Sequence, residues 1–194
     1  MARSRTSGRR TAGRHPQPSP DASASAVDTV ATPTIASATL PRVWQGVGYR
    51  PLADVSAARS LFDYMAIAWP PGDAPEPSWA AYTRETGAEV LIGAAIGEHA
   101  GANAMLHGPA ISTQDNALEV ATQLVAAWLD HAVALGIETV FARPNGLDRV
   151  WVRFGFIPVP EGALPRALAG RPGAGLFAWR GGSALWSFRE TPRD

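Results

Sequence analysis

The stretch from Ala117 to Phe156 constrains the fold of this chain more than any other segment. It reads ALEVATQLVAAWLDHAVALG, then IETVFARP, then NGLDRVWVRFGF. Val120, Leu124, Trp128, Leu129, Ala132 and Leu135 recur at helical spacing, which predicts a long helix with one buried face, ended by Gly136. Ser112, Thr113, Asp115 and Asn116 all have side chains able to cap its start. Ile137–Arg143 reads as a buried strand, and Leu147–Phe154 as a short helix closing on Gly155-Phe156. A helix with one apolar face feeding straight into a buried strand needs a sheet to pack against.

The upstream sequence supplies that sheet. Val43–Leu52 reads as a first strand, and Asp54 caps a helix over Val55–Ala68 with Leu61, Tyr64, Met65 and Ala68 on one side. Pro70–Pro77 is a loop. Trp79–Glu85 and Ala88–Ile96 flank Thr86-Gly87 as a hairpin, Gly97–Gly101 forms a second turn, and Ala104–Ser112 is a further strand. Beyond the core stretch, Glu161–Ala169 adds a turn of helix. Leu176–Arg180, Gly181-Gly182 and Ser183–Arg189 form a closing hairpin. The order β, α, β, β, β, α, β, α, β, β predicts an α/β domain with a mixed sheet.

Residues 1–40 differ in kind. They are rich in Ser, Thr, Ala, Pro and Arg without apolar periodicity, and are expected to be a disordered tail ahead of one folded domain over residues 41–194. Five Arg against Asp21 and Asp28 give the tail a charge of +3, and the remaining 12 Arg and 15 acids give the body −3. The body therefore has no general attraction for nucleic acid. The tail reads as a solvated arm, with a protein-binding or nucleic-acid-binding arm and an organelle transit peptide as the alternatives. Arg9-Arg10 lacks the apolar stretch that a twin-arginine export signal needs.

Several chemistries are excluded. The absence of Cys removes disulfides, thiolate catalysis and Cys-ligated zinc. No apolar run approaches the roughly 20 residues that span a membrane, so a soluble protein is expected, in the cytoplasm or in a virion. No HExxH, GxSxG, P-loop or GxGxxG is present. His99 and His107 have no third ligand at metal-site spacing, so no metal is expected.

Four features together resemble the GNAT superfamily of acetyl-CoA-dependent N-acetyltransferases, over about Gly46 to Phe188. They are Tyr49-Arg50-Pro51-Leu52 before the first helix, the antiparallel strands up to Ile111-Ser112, Ala132-x-x-x-Gly136, and Arg153-Phe154-Gly155-Phe156. The resemblance implies a single GNAT-like domain, a central twisted mixed sheet flanked by helices. It also implies transfer of an acetyl group from acetyl-CoA to an amine on a small molecule or a protein.

In that family a Q/R-x-x-G-x-G/A loop at the start of the long helix holds the cofactor pyrophosphate on backbone N–H groups and the helix N-terminus. Here the motif falls on Gln114–Glu119 or on Asn116–Ala121, and in either position only Gln114 or Ala121 fits. By resemblance the cofactor-binding set is Ile111, Ser112, Gln114, Asn116, Ala117, Ala121 and Asn145. No Gly is present, and Asp115 and Glu119 bring negative charge toward the phosphates. The same acids also suit an ordinary helix start.

Many members carry a Tyr four residues before the Gly of Gly-Phe, whose phenol protonates the leaving thiolate. Here that residue is Trp151, which reads as packing. Glu89, Glu98, His99 and His107 are candidates for the base, with His107 the best placed, and His107 or Glu98 expected to serve. A His hydrogen-bonded within the sheet is the alternative for His107. Asp130 and His131 read as surface residues of the long helix. The departures motivate a rival reading: a catalytically inactive GNAT-fold binding or assembly protein, such as a bacteriophage virion component, docked through its tail.

Overall fold

The structure, a computed structural model, describes residues 33–71, 76–170 and 185–189. An eight-stranded sheet has the order β1-β2-β3-β4-β5-β6-β8-β7. In chain order the elements are α1 (Ile35–Ala38), β1 (Arg42–Trp44), β2 (Val47–Pro51), α2 (Arg59–Tyr64), β3 (Ser78–Glu85), β4 (Ala88–Ala100), β5 (Asn103–Ile111), α3 (Ala117–Ala134), β6 (Thr139–Ala142), α4 (Asp148–Arg153), β7 (Ile157–Val159) and β8 (Leu185–Arg189). All neighbouring strands are antiparallel except β5 and β6. This is the mixed α/β sheet that the sequence predicts.

The long helix packs on one face of the sheet, where Val120, Leu124 and Trp128 join Trp79, Ala95, Ala104 and Leu106 in the main core. The opposite face carries α2, with Phe62 against Ala94, Ile96 and Ala110. Beside it Met105, Phe141, Leu168 and Leu185 form a smaller cluster.

Several boundaries differ from the sequence reading, each for a local reason. Val43–Leu52 is two strands, because Gln45 and Gly46 both take positive φ (48° and 80°) and turn the chain back on itself. The predicted helix over Val55–Ala68 is a 3-10 turn, Val55–Ala58, followed by α2. It is capped as expected by Asp54, whose Oδ1 accepts from the Ser56 N–H at 3.0 Å, and Ala66 at φ 52° ends it early. Ile35–Ala38 forms a capped helical turn within the segment expected to be tail. Strand β7 went unread, since Ile157-Pro158-Val159 is too short to show a period. Glu161–Ala163 and Arg166–Leu168 are 3-10 turns. The predicted first arm Leu176–Arg180 and turn Gly181-Gly182 lie outside the described residues. Tail residues 1–32 lie outside them as well.

The predicted turn at Gly97–Gly101 is corrected most sharply. Strand β4 runs through it to Ala100, and only Gly101, at φ 60°, lies in a turn. Gly97 is mid-strand because there is no room for a side chain: a Cβ there would lie 2.4 Å from Trp128 Cζ2 and 2.9 Å from the Pro77 carbonyl oxygen. That carbonyl accepts from both the Gly97 N–H at 2.8 Å and Trp128 Nε1 at 2.7 Å, seating α3 against the middle of the sheet.

His131 is also corrected. Asp130 is at the surface and meets Arg42 at 2.8 Å, but His131 is only 5% exposed. Its Nδ1 accepts a hydrogen bond from Trp79 Nε1 at 3.2 Å, and the two rings meet edge-on. Burial lowers the His131 pKa from its usual value, with the Glu76 charge opposing in part.

Candidate active site

The parallel pair β5–β6 stays in register from Asn103↔Thr139 to Leu106↔Ala142 and no further. Strand β6 then ends, while β5 continues to Ile111 through an irregularity at Gly108-Pro109, where His107 still pairs with Ile96 and Ala110 with Ala94. The strands therefore part at His107, and the chain leaving β6 runs through Arg143–Leu147 into α4. A cleft opens there, lined by Gly108, Pro109, Arg143, Asn145, Gly146 and Trp151, with Ile67 and Leu147 at its sides. The cleft has room for about one water molecule.

His107 and Glu98 come together on the face that carries α2. Their ring and carboxylate meet at 2.9 Å, between His107 Nε2 and Glu98 Oε1, and both side chains are largely buried. Ile96 and Met105, the strand partners of His107 and Glu98, lie in the clusters of that face. His107 precedes Gly108 at the cleft wall but is not itself part of the lining. The other two candidates stand apart from this pair: Glu89 forms a bidentate ion pair with Arg50, and His99 is exposed. Arg50 holds the Glu89 carboxyl below its usual pKa.

Arg143 was not singled out by sequence reading. Its position as the last residue of the predicted strand Ile137–Arg143 was the only signal, and β6 in fact ends one residue earlier, at Ala142. Its Nη1 and Nη2 grip both oxygens of Glu161 at 2.5 and 2.8 Å, which lowers the Glu161 pKa. Among the described residues its buried Nε has no hydrogen-bond partner.

On the far side of β5, the expected cofactor residues fall at the start of α3. Ser112, Gln114 and Asn116 are exposed and Ala117 is half-buried. Asn116 is the residue before the helix but makes no side-chain cap; its Oδ1 accepts from Thr113 Oγ1 at 3.1 Å instead. Ala121 is fully buried in the core, one turn into the helix. The Glu119 carboxylate is held by Gln123 Nε2 at 2.9 Å, toward the second turn. Its charge, after burial, helps push the Tyr49 phenol up to about 12. Ser112 gives its N–H to Ile92 O at 2.9 Å. Alternate N–H groups of a strand point to opposite sides, so that of Ile111 points away from β4, toward the gap beyond β6.

Asn145 lines the cleft and reaches the Met65 carbonyl at 3.5 Å. Trp151 is 1% exposed, donates from Nε1 to Gly146 O at 3.2 Å, and packs edge-on against Phe156 at 5.0 Å. That is the packing role its sequence position suggested. Among the described residues no group of three His, Asp or Glu side chains could hold a metal ion, and no helix is long and apolar enough to cross a membrane.

Against known proteins, no family model and no curated sequence matches this chain. Solved structures do. The fold is similar to N-acetylglutamate synthase from Neisseria gonorrhoeae, solved with coenzyme A and N-acetyl-glutamate. The match has 17% identity and a TM-score of 0.54, and covers 78% of this chain and 36% of that one. It is also similar to a GNAT-family acetyltransferase from Staphylococcus aureus Mu50, at 11% identity and a TM-score of 0.52, covering 74% and 98%. The ribosomal-protein-S18-alanine N-acetyltransferase of Escherichia coli matches at 12% identity and a TM-score of 0.50, covering 76% and 96%. The chain spans about a third of the length of the N-acetylglutamate synthase it matches. Identities this low speak to architecture: the fold is GNAT-like.

Proposed function

We propose that this protein is an N-acyltransferase that moves an acetyl group from acetyl-CoA to a primary amine. The observation that carries this reading is the buried Glu98–His107 pair, 2.9 Å apart, beside the point where β5 and β6 part.

The start of α3 fits an anionic cofactor through its backbone. The helix is 18 residues long and has no side-chain cap, so the N–H groups of its first turn face outward with the positive end of the helix dipole. Glu119 is drawn back toward Gln123, away from that tip. Ser112, Gln114, Asn116 and Ala117 would hold the pyrophosphate end, and Asn145 would border the acyl end. Bound acetyl-CoA supplies an activated thioester, whose C–S bond is exchanged for a C–N bond.

The chain's own residues do the rest. With Nε2–H donating to the Glu98 carboxylate, His107 keeps a lone pair on Nδ1 and acts as general base. His107 stands behind the cleft wall and is not part of its lining, so the proton passes from the amine to His107 through a bridging water. The outward N–H of Ile111 stabilises the negative oxygen that develops during attack. No phenol stands at Trp151, so the departing thiolate takes its proton from water.

Titration calorimetry with acetyl-CoA, followed by a thiol-release assay on a panel of amines, tests this reading. Heat of binding and amine-dependent thiol release are expected. No heat and no thermal shift at millimolar acetyl-CoA would sink it. The narrow cleft and the acid Asp115 favour a second reading, a fold of the same ancestry used for binding without turnover. Cofactor binding without thiol release from any amine would support that alternative.

A further inference from the structure

The acyltransfer reading leaves the acceptor open, and Arg143 narrows it. Arg143 follows Phe141 on β6 and His107 follows Met105 on β5, and Phe141 and Met105 are register partners in one cluster. His107 shares the face of Met105, and Arg143, the first residue beyond β6, meets Glu161, whose turn leads to Leu164 on that same cluster, so both stand on one side of the sheet where the strands separate. The base and a guanidinium thus flank one cleft, which Arg143 lines.

That guanidinium is built to take a carboxylate. It already grips one, in the two-point geometry that suits a planar carboxylate. The carboxylate it grips is on a side chain 58% exposed, in a short turn, so the acid can leave to solvent while the guanidinium, 12% exposed, stays in the cleft wall. The buried Nε–H has no acceptor among the described residues, and a buried donor left unmatched is costly.

We infer that Arg143 binds the carboxylate of the acceptor, which is an amino acid or a similar amine bearing a carboxylate, and that Glu161 occupies this place when the acceptor is absent. This rests on the acyltransferase reading for the reaction, but not for the binding. On binding, the acceptor carboxylate displaces Glu161 from Arg143, while its amine lies toward His107. Arg143 is a specificity residue here and takes no part in proton transfer.

The test separates binding from turnover. Each of the common L-α-amino acids is compared with the amine left when its α-carboxylate is removed, by thermal shift of the full chain at millimolar ligand, without acetyl-CoA. At least one amino acid is expected to raise Tm while its decarboxylated counterpart does not. Arg143→Gln should abolish that shift. Glu161→Gln, with its folding checked by its own Tm without ligand, should tighten the same amino acid about two- to fivefold. The inference is overturned if no amino acid shifts Tm, if the decarboxylated amines shift it equally, or if Glu161→Gln leaves affinity unchanged. Thiol release from amines regardless of a carboxylate would also overturn it, while leaving the acyltransferase reading intact. Arg143-dependent amino-acid binding without thiol release would do the reverse.

Discussion

Glu98 and His107 lie on neighbouring antiparallel strands, offset by two positions, and meet at 2.9 Å because both side chains emerge on the same face of the sheet. A carboxylate on one ring nitrogen fixes the tautomer and the orientation of the imidazole. Replacing His107 by Ala is expected to lower kcat by about 10²–10⁴-fold, the usual contribution of a positioned base. Glu98→Gln keeps an acceptor for Nε2 but loses the charge, and should give a smaller loss. Steady-state kinetics on folded variants check this. Equal activity in His107→Ala would remove the pair from the mechanism.

At the tip of α3, Asp115 stands where cofactor phosphates would approach. Two like charges about 4 Å apart repel by roughly 1 kcal/mol in water. Asp115→Asn is therefore expected to tighten acetyl-CoA binding by about fivefold, read by calorimetry at low salt. An unchanged Kd would place the phosphates elsewhere.

His131 makes stability depend on pH. Its Nδ1 accepts from the Trp79 indole, so protonation there sets one donor against another. Burial lowers its folded-state pKa below the ordinary 6.5. The unfolded chain thus binds the proton more readily, and stability rises with pH across that window. The contribution is complete above about 6.5 and is lost as pH falls from there through the lower folded value. His131→Gln keeps an acceptor for the indole but does not titrate. Urea denaturation between pH 7.5 and pH 5 should show a flatter profile for this variant than for the parent, and identical profiles would assign the acid sensitivity to other groups.

Gly97 is a packing residue. Ala at this position would press on Trp128 and on the Pro77 carbonyl, and is expected to cost about 1–3 kcal/mol by overpacking. Gly97→Ala compared with the parent in urea gives the number directly. A cost near zero would mean that Trp128 shifts freely.

Trp151→Phe removes one hydrogen bond, from Nε1 to Gly146 O, and keeps most of the ring packing on Phe156. A stability loss of about 1 kcal/mol is expected, with turnover changed by no more than a few-fold. A hundredfold fall in kcat with normal folding would give the indole a chemical role instead.

The long helix was legible because Val120, Leu124 and Trp128 mark its buried face at a fixed spacing, and local periodicity is what a sequence displays. Glu98 and His107 were legible as candidates, but their contact depends on strand register, which no local pattern encodes. Gly97 misled because glycine signals a turn and also a place where nothing larger fits, and here Trp128, from a different element, decides. His131 misled for a similar reason: its neighbour Asp130 does face solvent, while Trp79 reaches the His ring from 52 positions upstream. Arg143 was hidden because its meaning comes from Glu161 and the ending of β6, both visible only in three dimensions.

Gly97 and Glu98 are consecutive, and strand alternation sends them to opposite faces. Gly97 lies flush against Trp128 of α3, while Glu98 holds His107 on the other side. The helix whose tip is the proposed cofactor surface and the carboxylate that holds the proposed base thus rest on two consecutive residues of one strand. A tilt of α3 on filling its tip would be transmitted through the Trp128–Gly97 contact to the carboxylate that aims the imidazole. The two substrates would then sense each other through the thickness of one strand, with no moving domain between them.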